Sequence, residues 1–302
     1  MLDALEPWGF ETLARHNDKS IPGSPERAVS RSVIEDTGNR LWLVERLSGK
    51  QVLARTAISE NIQQLHDSGM DWLLPYQKAA GGEFIAEIMG FPWQLSSFYE
   101  SDELPRPEYI YDAERGMALA GFVASIRKHS KGRQFSDTGC SFTLIDYSKK
   151  LTETISQRNP EVYKRLEPMC ARLFPAMEKF SSLPLAFCHG DFHPLNILWK
   201  GKEIGAVIDW EFSGMRPEIY DVANMMGCVA FENPAALGEG LIPAFIEGLY
   251  ELTDITDESY EALPFFIPAL RFAWLSEWLR KKDDEMLQME LDYMELLLSF
   301  TG

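Results

Sequence analysis

The run His189-Gly190-Asp191-Phe192-His193-Pro194-Leu195-Asn196, followed thirteen positions after Asn196 by Asp209 within Val207-Ile208-Asp209-Trp210, constrains this chain more than any other part of it. Apolar runs at residues 185–188 and 197–199 flank the polar segment, and Gly201-Lys202 offers a tight turn before a third apolar run that ends at Asp209. Short apolar runs separated by turn residues read as strands and hairpins. The expected order is a strand, a polar loop, a hairpin and a carboxylate at the strand end, which delivers Asp191, Asn196 and Asp209 from two neighbouring loops.

Those side chains are what phosphoryl transfer asks for. In the kinase arrangement a loop Asp aims the acceptor hydroxyl, an Asn five residues on holds one Mg²⁺, and a strand-end Asp holds the other. The γ-phosphoryl group concentrates negative charge, so cations gripped by hard oxygen ligands must accompany it. The attacking hydroxyl must be aimed by a carboxylate. Two other readings fit parts of the run. Asp191 and Asn196 can be loop-capping residues, with Asp209 a polar residue closing a strand. His189, Asp191 and His193 alternate as zinc ligands can, although His16, His66 and His129 show no partner spacing.

From Phe187 to Ala223 the chain resembles the aminoglycoside phosphotransferase and choline kinase-like superfamily. That family writes its loop His-Gly-Asp-x-His-x-x-Asn, where protein kinases prefer His-Arg-Asp with a Lys two residues on; Gly190 and His193 side with the small-molecule branch. Its Ile-Asp-Trp-Glu stands at residues 208–211 and its Tyr-Asp-x-Ala at 220–223. The resemblance implies an α+β, protein kinase-like two-lobed fold. A small β-rich N-lobe (residues 1–92) would bind the nucleotide, and a larger, mainly helical C-lobe (93–302) would carry the catalytic loop, the metal site and the acceptor region. ATP and Mg²⁺ are the implied cofactors. Asp191 and His193 are the implied catalytic residues, and Asn196 and Asp209 the metal ligands. His189, Glu211 and Asp221 would support them: His189 as a buried scaffold, Glu211 on a metal-bound water, Asp221 tying down the loop backbone. Plainer roles stay open for each, including loop bracing by His193, a structural acid at Glu211 and an N-cap at Asp221.

A chain of 302 residues can form one large domain or two lobes. Its formal charge of −17 excludes nucleic acid as a natural partner; the acidity serves solubility, or draws a cationic acceptor. The cysteines (Cys140, Cys170, Cys188, Cys228) form no Cys-x-x-Cys pair and read as reduced core thiols of a cytoplasmic protein. The first fifteen residues lack a basic segment and do not read as a signal peptide. The densest apolar stretch, 265–279, is broken by Arg271 and Glu277, which argues against a membrane span.

Along the small lobe, residues 32–35 and 40–47 read as strands joined at Asp36-Thr37-Gly38-Asn39, and 55–66 as a helix with Ile58, Ile62 and Leu65 on one face. Strands at 77–80 and 83–89 are expected to flank Gly81-Gly82. Gly90-Phe91-Pro92-Trp93 interrupts the pattern where a hinge would lie, which places the adenine ring near Met89 and Trp93. Helices are expected at about 112–128, 142–155, 160–181, 234–252, 265–280 and 285–300.

The phosphate-gripping parts are sparser. The candidate loop, residues 22–30, has one glycine, so Ser24 or Ser30 would have to assist. The strand Leu41-Trp42-Leu43-Val44-Glu45-Arg46-Leu47 lacks the Lys that the kinase arrangement puts there. Arg46 is the first substitute, with Arg31, Lys50 and Arg55 as alternatives and Glu60 as the helix partner of that cation. In the C-lobe, Arg271, Trp274, Glu277 and Trp278 form a candidate acceptor wall, where aromatics can stack a sugar or cage an ammonium group. Taken together, the sequence predicts a phosphotransferase moving the γ-phosphoryl of Mg-ATP to a hydroxyl of a small polar metabolite such as a sugar or amino alcohol, acting as a monomer or homodimer. A degenerate nucleotide-binding pseudokinase and an aminoglycoside phosphotransferase are the alternatives. The last requires the acidic cluster Asp283, Asp284, Glu285, Glu290 and Asp292 to line the acceptor pocket.

Overall fold

The computed structural model describes residues 5–24, 27–139 and 143–300. Pro25 and Glu26 of the candidate phosphate loop, Cys140, and Phe142 at the start of an expected helix lie outside the described residues. Five strands form an antiparallel small-lobe sheet among the described residues: β1 (Thr12–His16), β2 (Ser30–Asp36), β3 (Leu41–Arg46), β4 (Ile85–Ile88) and β5 (Phe91–Ser97), in the order β1-β2-β3-β5-β4. The β2–β3 turn is built on Asp36. Its buried carboxylate accepts from the backbone N–H of Gly38 and Arg40, the Arg40 Nε and the Trp42 indole. Burial pushes its pKa up, but those donors outweigh it and hold the carboxyl at about 2.

Two expectations for this lobe give way. Residues 77–80 form no strand; Tyr76 makes only an isolated bridge to Ser96. Gly90-Phe91-Pro92-Trp93 is not a hinge either. Met89 and Gly90, at φ 54° and 77°, form the tight turn of the β4–β5 hairpin. Pro92 is tolerated as the second residue of β5 because it lies at the end of the pairing with β3: its carbonyl still accepts the Leu47 N–H at 2.9 Å, and its missing N–H falls beyond the last β3 pair, Arg46 with Trp93. The sheet therefore runs five residues past the expected lobe boundary, and the crossing to the large lobe follows Ser97.

Helix α1 (Val52–Asp67) touches the sheet through polar groups, the Gln94 amide donating to the Ser59 hydroxyl at 2.7 Å, and turns its apolar face to the large lobe. Ile58, Ile62 and Leu65 belong to the large-lobe core, whereas the sheet's own cluster is built from Leu5, Trp8, Ile34, Trp42, Val44 and Leu95. The Asn61 amide fastens α1 further, exchanging two hydrogen bonds of 2.9 and 2.8 Å with the Ser136 backbone. The helix thus shares its hydrophobic core with the large lobe.

The large lobe holds α2 (Ala113–Ser130), α3 (Leu144–Arg158), α4 (Pro160–Lys179), α5 (Tyr220–Glu232), α6 (Leu241–Leu252), α7 (Asp257–Lys281) and α8 (Asp284–Ser299). Asp112 caps α2, accepting from the Glu114 N–H. The expected helix at 234–252 is split: a 3₁₀ turn covers Pro234–Leu237, and Gly240 at φ 71° breaks the chain before α6. A Cβ on Gly116 would lie 2.3 Å from the Leu241 carbonyl, so α2 and α6 meet at backbone contact. Between α4 and α5 lie β6 (Leu185–Cys188), β7 (Ile197–Lys200), β8 (Glu203–Val207) and β9 (Gly214–Pro217). β7 and β8 form the expected hairpin, and β6 pairs with β9. Cys170, Cys188 and Cys228 are free thiols. Among the described residues no helix is long and apolar enough to cross a membrane.

Candidate active site

The polar loop after β6 is held from both sides. Asp221, in the first turn of α5, takes the backbone N–H of His189 at 2.7 Å and of Gly190 at 2.8 Å. It precedes no helix that it could cap, since α5 has already begun at Tyr220. Burial pushes the Asp221 carboxyl up to about 6 against the pull of those N–H groups and of Arg216. One helical turn on, Asn224 donates to the Phe192 carbonyl at 3.2 Å. Gly190 stands at φ 82°, and a Cβ there would lie 2.0 Å from the Phe212 carbonyl oxygen. Only glycine lets the loop pass so close to the segment after Asp209.

His189 is fully buried. Its Nε2 donates to the Ile208 carbonyl at 2.8 Å and its Nδ1 accepts from the Asp191 N–H. Burial lowers its pKa to about 4, so the ring is a neutral brace between the two loops. The Nδ1 of His193 caps the 3₁₀ turn Pro194–Asn196, accepting from Leu195, and its Nε2 lies 3.6 Å from an Asp191 oxygen. With His189 spoken for at both nitrogens, the zinc reading has no ligand set here.

Asn196 gives its amide N–H groups to the Asp191 carbonyl at 2.9 Å and the Asp191 carboxylate at 3.2 Å. That choice leaves the Asn196 Oδ1 as a hard ligand. Asp209 follows β8 in the left-handed conformation, at φ 64° and ψ 57°, a region Asp tolerates better than most residues. The three oxygen-bearing residues converge, and a cation already spans two of them. Arg27 Nη2 lies 3.0 Å from Asp191, its Nε 3.7 Å from Asp209 and its Nη1 3.9 Å from Glu211, with the guanidinium over the Phe212 ring. The Ser24 N–H also donates to Asp209. Carboxylates that gather a guanidinium suit Mg²⁺, which takes one or two protein oxygens and completes its shell from phosphates and water. Burial would raise the Asp191 pKa, but His193, Arg27 and His189 outweigh it and keep the carboxyl at about 2.

Two cavities meet at this point, and Pro22 and Asp209 line both. The first, a narrow cleft of about 60 Å³, runs between the sheet and the large lobe and is lined by Leu43, Glu45, Arg55, Tyr76 and the strand end Ser96–Tyr99. The second, about 920 Å³, opens in front of Asp191 and is lined by Tyr147, Asn224, Trp274, Glu277 and Lys281.

The nucleotide residues expected from sequence do not gather at the cleft. Ser30 is exposed at the start of β2. Arg46 turns to the opposite face of β3 and stacks over Phe91. Glu60 is exposed and accepts from the Ser136 hydroxyl. Met89 is at the exposed hairpin turn, and Trp93 packs against the sheet's own cluster. Strand alternation explains Arg46: Leu43 and Glu45 share the cleft face, so their neighbour faces away. In the acceptor wall Trp274 and Glu277 do line the large cavity. Arg271 does not; it is buried in a bidentate pair with Glu290 at 2.6 and 2.7 Å. Trp278 donates to the same Glu290. Sequence reasoning missed Arg27, Asn224 and Lys281. Asn224 alone carried a readable signal, standing one turn after Asp221 on the same helix face.

The sequence pattern of the phosphotransferase enzyme family matches residues 35–263. A homoserine kinase of Mesorhizobium japonicum is 27% identical over 271 residues, covering 84% of this chain and 82% of that protein. A homoserine kinase of Agrobacterium fabrum is 28% identical over 227 residues, covering 72% and 67%. Among solved structures, an aminoglycoside phosphotransferase from Alicyclobacillus acidocaldarius superposes with a TM-score of 0.69 at 13% identity, covering 98% of this chain and 93% of that one. A choline/ethanolamine kinase family protein from Mesorhizobium loti superposes with a TM-score of 0.64 at 13% identity, covering 96% and 89%.

Proposed function

The chain belongs to the phosphotransferase enzyme family, and on that premise we propose that this ATP-dependent small-molecule kinase phosphorylates the hydroxyl of a small amino alcohol carrying both charges, of the homoserine kind. What supports this acceptor is the wall of the large cavity. Its carboxylate, Glu277, is already neutralised by Lys281 at 3.0 Å and Arg280 at 2.7 Å. A side-by-side carboxylate and ammonium can exchange partners with a zwitterion, which brings one of each. A polycationic antibiotic would need an excess of carboxylates. The acidic cluster does not supply it: Glu290 is consumed by Arg271, Asp292 pairs with Arg165 on the outer surface, and Asp283 caps α8. The homoserine kinases among the relatives point the same way.

In this reading Asp191 aims the acceptor hydroxyl at the γ-phosphorus. The acceptor oxygen bonds to phosphorus, the bond to the bridging oxygen breaks, and ADP leaves with that electron pair. A carboxylate held at about 2 is a weak base, so it takes the hydroxyl proton late, after most of the transfer. Asn196 Oδ1 and Asp209 would hold Mg²⁺, which would supply the charge that offsets the phosphates. Asp221 and Asn224 keep the loop in register, and His193 braces its turn beside Asp191.

A sugar is the second reading. The 920 Å³ cavity exceeds what an amino alcohol needs, and Trp274 can stack a ring. An ADP-formation screen with homoserine, other amino alcohols, choline-like amines, sugars and aminoglycosides separates the two. The highest kcat/KM is expected for homoserine-type acceptors, and preference for an aminoglycoside would overturn the assignment.

A further inference from the structure

In the kinase arrangement a Lys on the third small-lobe strand pairs with a Glu on the small-lobe helix, and that Lys holds the nucleotide's phosphates. Here the strand carries the acid and the helix the base. Arg55 of α1 lies 3.7 Å from Glu45 of β3, and both are buried, at 4% and 6% exposure. A carboxylate at the strand position repels phosphate, so the grip has to come from elsewhere.

We propose that Arg55 is the phosphate-binding cation of this enzyme, acting from α1 in place of a strand lysine. The inference rests on the kinase reading of the cleft. Its position follows from the order of residues along that cleft. Leu43 stands opposite Ser96 at the strand end, and Glu45 is the next β3 residue on the same face, opposite Gln94. Arg55 pairs with Glu45 on one side and with Glu211 at 2.8 Å on the other, two residues beyond Asp209. A nucleotide with its base at the Ser96–Tyr99 end and its terminal phosphate at Asp209 must lay its inner phosphates across Arg55.

A guanidinium suits this post better than an ammonium, because its five fixed donors can serve several partners at once. Arg55 Nη1 donates to the Tyr76 hydroxyl at 2.9 Å, and Nη2 donates to the Arg27 carbonyl at 2.7 Å. The second bond goes to the loop that covers the cleft. Phosphates entering beneath that loop would receive this donor in exchange. Arg55 is presented by a helix whose apolar face belongs to the large-lobe core, the lobe that also carries Asp209. The other cation lining this cavity among the described residues, Arg31, donates to the Pro22 and Gly23 carbonyls and braces the loop.

Calorimetric titration of the full chain in the presence of a chelator, with adenosine, AMP and ADP as probes, tests the assignment without metal or turnover. Arg55→Met is expected to weaken ADP on the order of tenfold or more, the loss of a charge-assisted contact, while adenosine stays within about twofold. Arg55→Lys should recover part of the ADP affinity, and Arg31→Met should leave it within about threefold. Loss of adenosine and ADP by the same factor, unchanged ADP affinity in Arg55→Met, or a loss carried by Arg31→Met instead would each overturn the proposal. Arg55→Met leaves Glu45 and Glu211 buried beside a missing charge and can fail to fold. Arg55→Lys then carries the test, with ADP weakened several-fold against unchanged adenosine supporting the proposal and ADP unchanged refuting it. Wild-type protein that binds no ADP with the chelator replaced by excess Mg²⁺ sinks the kinase reading itself; wild-type binding with insensitive variants sinks only Arg55.

Discussion

The catalytic loop and the nucleotide side of the cleft reach Asp209 by different routes. Around Asp191, the carboxylates and Asn196 come from one continuous stretch between β6 and α5, and Asp221 and Asn224, which hold the loop, stand on the helix that ends that stretch. Across the cleft, the charged groups come from a loop, β3 and α1, and what each one faces depends on strand register and on how α1 packs. The first region is a local device that travels with its motif. The second is an assembly in which the same task can be handed from a strand to a helix.

The comparison predicts a steep ranking of substitutions. Asp191→Ala should lower kcat by about 10³-fold, within the range for losing a positioned acid–base group, while Mg-ATP still raises the melting temperature. Near-normal turnover would remove Asp191 from the chemistry. Asp209→Asn keeps the size but removes the one negative charge of the two proposed metal ligands, so the Mg²⁺ dependence of ADP formation should shift to higher concentration by about tenfold or more. An unshifted titration would mean that the metal sits elsewhere.

Asp221→Asn tests the loop's anchor. The ionised carboxylate accepts two N–H groups, so kcat is expected to fall as pH drops through about 6, while Asp191, at about 2, contributes nothing in that window. Stability runs the other way. The folded chain binds the Asp221 proton more tightly than the unfolded one, so this group's contribution is fully present below about pH 4 and is lost as pH rises through about 6. In the Asn variant kcat should be lower by about tenfold, the order expected from one lost charge-assisted hydrogen bond, and flat across the same range. A variant that keeps the wild-type acid limb assigns that limb to another group.

Arg271→Met separates packing from recognition. Breaking its buried pair with Glu290 should cost about 3–5 kcal/mol of stability by denaturant titration, with acceptor KM unchanged in the folded protein. A raised KM at full stability would return Arg271 to the acceptor wall. The smallest effects belong to the small-lobe residues that face away from the cleft. Arg46→Ala, Glu60→Ala and Met89→Ala should each leave the KM for Mg-ATP within about twofold, as surface changes away from a site usually do. A tenfold rise in any of them would contradict the geometry of the lobe.

The sequence by itself determined the loop–hairpin–Asp209 arrangement, because the strands are short, the turn is tight and the polar residues sit at the spacing of a short loop between them. It also determined the β2–β3 turn at Asp36 and most helices of the large lobe, through turn residues, period and capping. Only the tertiary structure decided that Pro92 lies inside a strand, that Glu45 rather than Arg46 faces the cleft, and that Arg271 is buried. Sequence alone does not reveal which strand a Pro's missing N–H points toward. Nor does it say which of two adjacent charged residues a sheet turns inward, or which acid will meet a buried base. Those outcomes are set by contacts between segments distant in the chain, and Arg27 and Arg55 owe their places to them.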